Sequence, residues 1–307
     1  MIGIVKSAKG AGTQLPALLQ WSVKRTDGDP CDSFSVQFAC GKETKAVLEQ
    51  AAEFQAYEKG KLVFTGIVDD FELRLGKDGA LAEVTGRGMA ARLMDMQTKA
   101  AEYVSAQLTD ILNAYVRPCG VLKIEADEMG PVSNFVVQTG GTCYQALAGF
   151  CRHSAEIYPR FLADGTLVLK REAAGKTVAL TSGILRAQYV RNRYGVAARQ
   201  VLINTRNGST QEASYAEFQA VGGTRVQYAG RTGDKIRASF RTAKQRLDDT
   251  KRDEKLLYVT CAGSFLAEPL DRVSLSVPAL GVSGTFTVQE VQSSCDETGL
   301  TCTLIMR

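Results

Sequence analysis

The stretch LVFTGIVDDFELRLGKDGALAEVTGRGMAARLMD, residues 62–95, decides the fold class. Phe71, Leu73 and Leu75 alternate with Glu72 and Arg74, the period-two pattern of a strand with one face in a core and the other outside. The run GKDG at 76–79 turns the chain, and ALAEVTGR returns as the partner strand. Met89, Leu93 and Met96 then recur at helical spacing, so Gly86-Arg87-Gly88 marks a switch from strand to helix. It is a poor phosphate-binding fingerprint, because the position of the third glycine holds Ala91.

Upstream, IGIV, LLQWSVKR and SFSVQFA read as short strands separated by GAGTQLP and TDGDPCD, whose Gly, Pro and Asp suit turns. Downstream the periodicity is mixed. Val104, Leu108, Ile111, Leu112 and Tyr115 form a helical apolar face that stops at RPCG. Thr142 and Gln145 stand at capping-box positions before a helix with the stripe Cys143, Leu147, Phe150 and Cys151. Residues 155–171 read as a hairpin turning at ADGT. Strands dominate again from about 176, interrupted by one amphipathic helix carrying Ile236, Phe240, Ala243 and Leu247. In the last strand Cys302, Leu304 and Met306 alternate with Thr301, Thr303 and Ile305. The pattern is α+β and β-rich, with an amino-terminal β domain at 1–87, an α/β middle domain at 88–175 and a carboxy-terminal β domain at 176–307.

Charge and composition exclude several classes. The 307 residues carry 37 basic and 33 acidic side chains, and the densest run, RLDDTKRDEK at 246–255, mixes both signs. Nucleic-acid binding as a primary role would need one sign clustered on a face. No apolar run approaches the roughly 18 residues of a membrane span, and the first residues lack the apolar centre of a signal peptide, so the expected compartment is the cytoplasm of the producing cell. The eight cysteines include no CxxC pair, which points to reduced, buried thiols rather than a zinc site.

The search for reactive groups is short. His153 is the single histidine, and in a helix Cys151 would lie about 200° from it, on the opposite face. GVSG at 281–284 lacks the spacing of a nucleophile elbow and reads as a turn. Asp69 and Asp70 project to opposite faces of a strand and do not converge without a bulge. Asn207-Gly-Ser reads as a hairpin turn. No catalytic, metal or cofactor constellation emerges, and a structural or interaction protein is expected rather than an enzyme.

The opening stretch resembles a segment of phage tail baseplate hub proteins, the late control D and Mu-like hub family also found in contractile tailocins. Its pattern of F-x-G-x-V-D, a strand ending in G-R, and a helix with L-x-D falls here on Phe64, Gly66, Val68, Asp69, Gly86, Arg87, Leu93 and Asp95. The 142–171 region is similar to the family's middle helix and D-G-x-L hairpin, at Asp164, Gly165 and Leu167. The carboxy-terminal region is similar to its closing β domain, with Gly284, Phe286 and Val288. One departure stands out: where many hubs have a glycine-aspartate turn before the V-x-V strand, this chain has Pro269-Leu270-Asp271.

The resemblance implies two related β-barrel domains of tail-tube type flanking the α/β segment, assembled as a homotrimeric ring. Six similar units would then meet a sixfold tail tube while threefold symmetry faces the central spike protein. Other baseplate or tape-measure components would complete the partners, with assembly in the host cytoplasm before incorporation into a virion or tailocin tail. Two other readings are a tail-tip component with cell-wall hydrolase activity and a monomeric ligand-binding β-barrel.

Overall fold

The computed structural model describes residues 1–27, 31–77, 79–171, 175–231, 233–265 and 267–307. The first half holds β1 (Ile2–Ser7), β2 (Gly12–Gln14), β3 (Leu18–Thr26), β4 (Ser33–Ala39), α1 (Thr44–Leu48), β5 (Ala51–Glu58), β6 (Lys61–Gly76) and β7 (Gly79–Gly88). A middle segment follows with α2 (Ala91–Met94), β8 (Ala101–Ala106), α3 (Leu108–Ile111), β9 (Ile124–Ala126), β10 (Val132–Val137), α4 (Cys143–Ala155), β11 (Arg160–Phe161) and β12 (Leu167–Leu169). Next come β13 (Thr177–Leu180), β14 (Ile184–Arg191), β15 (Arg199–Asn204), β16 (Thr210–Ser214), α5 (Ala216–Ala220), β17 (Val226–Arg231), β18 (Ile236–Arg237) and α6 (Ala243–Lys251). The chain closes with β19 (Lys255–Ala262), β20 (Arg272–Val277), β21 (Val282–Asp296) and β22 (Gly299–Met306).

Thirteen strands form one sheet, ordered β14-β19-β22-β21-β3-β4-β7-β6-β5-β1-β2, with β20 on β21 and β13 on β20. Among the described residues this sheet is open. It does not close into two separate barrels, because the edge of each half is taken by the other: β21 pairs with β3, matching Val291 with Arg25, Ser293 with Val23 and Cys295 with Trp21. Each half still curls around its own core. Phe34, Phe54 and Phe64 form the centre of the first, with Phe34 and Phe54 stacked at 4.2 Å. Val259, Val273, Val288, Leu304 and Met306 form that of the second. The period-two alternation of the last strand is thus realised, with Cys302, Leu304 and Met306 all inward.

The middle segment packs β10 and α4 around Phe135, Leu147 and Phe150. Thr142 Oγ1 accepts from the Gln145 N–H, and the Gln145 side chain accepts from the Thr142 N–H, the reciprocal cap expected from the sequence. The ADGT hairpin is also present: Asp164 accepts from the backbone and hydroxyl of Thr166, and Gly165 adopts φ +82°. Residues 199–231 make a small sheet, β16-β15-β17, beside α6.

Several expectations are corrected. Val104 lies in β8, whose pairing with β10 overrides the helical spacing, and α3 starts only at Leu108. Ile236 is extended, because β18 pairs in parallel with Phe135 and Val136 of β10 and joins the middle core. The helix there begins after Thr242, whose hydroxyl accepts from the Gln245 N–H, so two helices, α5 and α6, occupy a region read as having one. Phe71 is half-buried, but Leu73 and Leu75 are exposed, and Met96 lies beyond the short α2 rather than under it. In the GKDG turn Gly76 pairs with Gly79; Asp78 and, in the earlier TDGDPCD separator, residues 28–30 lie outside the described residues.

Candidate functional site

The residues singled out in the opening stretch meet at one corner. Gly66 and Gly86 face backbone: a Cβ on Gly86 would stand 1.9 Å from the Ile67 carbonyl oxygen, and one on Gly66 would stand 2.3 Å from that of Arg87. Only glycine permits β6 and β7 to run this close. Opposite Gly86, β6 carries a bulge between Val68 and Asp70, so Asp69 is the extra residue. The bulge does not bring Asp69 and Asp70 together as an acid–base pair. It aims Asp69 at Arg87, whose Nε and Nη2 donate to its two oxygens at 2.7 and 2.8 Å. Nη1 and Nη2 donate to Asp95 at 2.9 Å each, and these bonds hold the Asp95 carboxyl below its ordinary range. Phe64 lies in the first core and Leu93 in the middle core, so the stretch ties β6 and β7 to the segment that follows.

The carboxy-terminal residues occupy the corresponding strand. Phe286 stands opposite Val273, and Val288 is buried beside Met306. In the Pro269-Leu270-Asp271 turn, Leu270 takes φ +76°, a left-handed conformation that glycine enters freely. Its N–H donates to the Val288 carbonyl, while the Asp271 carboxylate accepts from the Glu268 N–H at 2.9 Å.

This correspondence extends to the strand register. Val68, Gly76, Gly79 and Gly86 of the β6–β7 hairpin match Val288, Asp296, Gly299 and Met306 of the β21–β22 hairpin, with no insertion or deletion. Each hairpin has its bulge at the same place, at Asp69 and at Gln289. The β3–β4 and β14–β19 pairs match as well, with shifts at Leu18/Gln20 and Ile184/Arg186. Two units, β3-β4-β7-β6 and β14-β19-β22-β21, are therefore repeated in one chain, although residues 192–254 are inserted between β14 and β19 of the second.

Charged groups lock the join. Arg25 donates to Glu268 at 3.0 Å and lies 3.8 Å from Asp32, which also accepts from the Thr26 N–H. Burial pushes the Asp32 carboxyl up to about 6, against the opposing pull of Arg25. Despite its own burial, Glu268 is held below the usual range by Arg25. Asp27 receives Arg252 at 2.9 Å and Arg307 at 3.3 Å; burial outweighs both and raises its pKa.

The reactive candidates are placed apart. Cys151 is in the middle core, where burial pushes its thiol to about 12. His153 stacks on Phe240, its Nε2 lies 3.1 Å from the Phe240 carbonyl oxygen, and burial followed by the charge of Arg152 pushes its pKa down to about 4. Ser283 is exposed in β21, and Asn207 holds the β15–β16 turn through the Ser209 N–H. Among the described residues no group of three His, Cys, Asp or Glu side chains is arranged for a metal. An open groove of about 810 Å³ between α4 and α6 is lined by both signs of charge, including Arg160, Asp248, Arg252 and Arg307.

No protein-family model matches the chain, and no curated protein sequence does. Solved structures do match. The tail protein from Neisseria meningitidis MC58 is similar over 99% of this chain and 95% of its own, with TM-score 0.79 and 16% identity. The 43 kDa tail protein of prophage MuSo2 from Shewanella oneidensis is similar over 100% and 97%, with TM-score 0.75 and 16% identity. The E. coli c3393 protein, described as a component of the type VI secretion system with structural similarity to T4 bacteriophage tail proteins gp27 and gp5, matches over 94% and 73%, with TM-score 0.59 and 11% identity. At these identities the likeness is one of fold: the chain has the fold of phage tail proteins from end to end.

Proposed function

We propose that this chain, which carries the fold of phage tail proteins, is the structural hub of a tail baseplate: a homotrimeric ring that joins a sixfold tail tube to a threefold central spike. The observation that carries this reading is the in-register repeat. One chain holds two equivalent four-stranded units in a single sheet, so three chains supply six. Such an adaptor works by matched surfaces and closed symmetry and needs no reactive group. The role is structural rather than enzymatic, which agrees with the tail proteins that share the fold. Ring closure would also protect the sheet edges that are open among the described residues of one chain.

The test is the native mass of the purified protein, with negative-stain images of the same sample. A threefold ring near three times 33.1 kDa, alone or once tube and spike proteins are added, is the expected result. A protein that stays monomeric with both partners present would overturn the reading.

A further inference from the structure

Among the eight cysteines, two pairs of thiols approach each other. Cys261 and Cys302 stand directly opposite one another in β19 and β22, both buried in the second core. The Gly263 N–H donates to the Leu300 carbonyl, and the alternation of an antiparallel ladder then makes Cys261 and Cys302 a hydrogen-bonded pair, the wider of the two spacings. The Cys302 sulfur is also engaged, donating to the Phe265 carbonyl at 3.6 Å and accepting from the Ser293 hydroxyl at 3.8 Å. That pair is sealed from solvent and poorly spaced for a covalent bond.

Cys119 and Cys143 differ on each count. Cys143 is the first residue of α4, its N–H donating to the Met96 carbonyl, and Cys119 ends a short 3-10 helix at Arg117–Cys119. Cys143 lies in the middle core, and the half-buried Cys119 packs against that core from its rim. The Cys119 thiol donates to the Tyr115 carbonyl at 3.2 Å, and a hydrogen bond joins the two cysteine side chains directly. We propose that Cys119 and Cys143 are a redox modification site, a dithiol that a small-molecule disulfide converts to an internal disulfide, tying the start of α4 to the helical turn at Cys119.

Cys119, the more accessible sulfur, attacks the small disulfide, breaking its S–S bond, forming a mixed disulfide and releasing one small thiol. Cys143 then attacks the Cys119 sulfur, which forms the internal bond and releases the second small thiol. The two protein thiols lose two electrons and two protons, and these leave with the two small thiols. Burial raises both protein thiols, Cys143 to about 12, and the hydrogen bond pulls Cys119 part of the way back. The pair therefore reacts slowly, and in a reducing cytoplasm it stays a dithiol. The loop that the bond closes, residues 119–143, contains β9 and β10, so closure braces the middle segment. This chemistry does not depend on the proposed hub, which adds only the passage from a reducing cytoplasm to an oxidising exterior.

Full-length protein would be incubated with oxidised glutathione, its remaining thiols alkylated, and its peptides analysed by mass spectrometry without reduction. A cross-linked peptide joining Cys119 to Cys143 is expected at least about tenfold above one joining Cys261 to Cys302, and dithiothreitol should remove it. The thermal midpoint should rise by about 3 °C or more on closure and fall back with reductant, a shift absent from Cys119→Ser treated in the same way. Cys119→Ala serves if the serine variant folds poorly. Glutathione retained on Cys119 with Cys143 still open to alkylation, or equal yields from the two pairs, overturns the site. Closure without a rise in the midpoint overturns the bracing of the middle segment.

Discussion

Arg87 and Arg307 stand at equivalent places in the two repeats, opposite Ile67 and Thr287, yet their guanidinium groups hold different things together. Arg87 ties Asp69 of its own unit to Asp95 of the middle segment, whereas Arg307 reaches Asp27 on the neighbouring unit. The Arg87 fork is partly open to water, which limits its worth. Arg87→Met is expected to cost about 1–2 kcal/mol in urea unfolding, and Arg87→Lys to recover part of that, because an ammonium cannot span two carboxylates. Equal losses would show that fork geometry is unimportant.

Asp27 is the more consequential partner. Its side chain is 6% exposed and faces two arginines. Asp27→Lys, which sets a third cation against Arg252 and Arg307 at a buried position, should lower stability by about 2–3 kcal/mol. A loss under about 0.5 kcal/mol in urea unfolding would mean that the join does not depend on this contact.

The close approach of β6 and β7 sets a steric test. Gly86→Ala forces a methyl group against the Ile67 carbonyl, with an expected loss of about 3 kcal/mol measured by thermal unfolding. Gly76→Ala, where no atom lies within 4 Å of the new Cβ, should be neutral to about 0.5 kcal/mol.

Leu270 offers a backbone test in which the side chain and the turn pull apart. Both Leu270→Ala and Leu270→Gly remove a buried side chain, but only glycine relaxes the φ of +76°. The glycine variant should therefore be the more stable of the two by about 1 kcal/mol. The reverse order would show that the turn is not strained by its side chain.

Asp32 should leave a mark on the pH dependence. Its folded pKa, about 6, lies above the ordinary carboxylate value, so its contribution to stability is fullest below about pH 4 and is lost as pH rises through 6. Asp32→Asn should thus gain on the parent protein by about 1–2 kcal/mol between pH 4 and pH 7 in urea unfolding. A difference independent of pH would place the carboxyl in ordinary solvent.

Much of the local architecture was legible because it depends on neighbours in sequence. The Thr142–Gln145 cap, the Asp164–Gly165 turn and the alternation of the final strand each rest on interactions within a few residues. Val104 and Ile236 were misread because their partners in β10 are distant in sequence and outweigh helical spacing. A signal for the second case was present: Thr242 and Gln245 form the same capping box as Thr142 and Gln145, and mark where α6 begins. The bulge at Asp69 had no such signature, and without it the carboxylate could not be matched to Arg87.

By itself, then, the sequence determined that the protein is β-rich, that its strands turn where Gly, Asp and Asn permit, and that its cysteines and single histidine form no obvious reactive set, since composition and short-range periodicity carry that information. The tertiary structure decided the rest. It joined β3 to β21 and placed the two repeats in one register, with the edges of β14 and distal β6 open among the described residues. Strand pairing between distant segments is chosen by which edges and apolar faces satisfy one another in space, and a period of two describes a strand's faces without naming its neighbour.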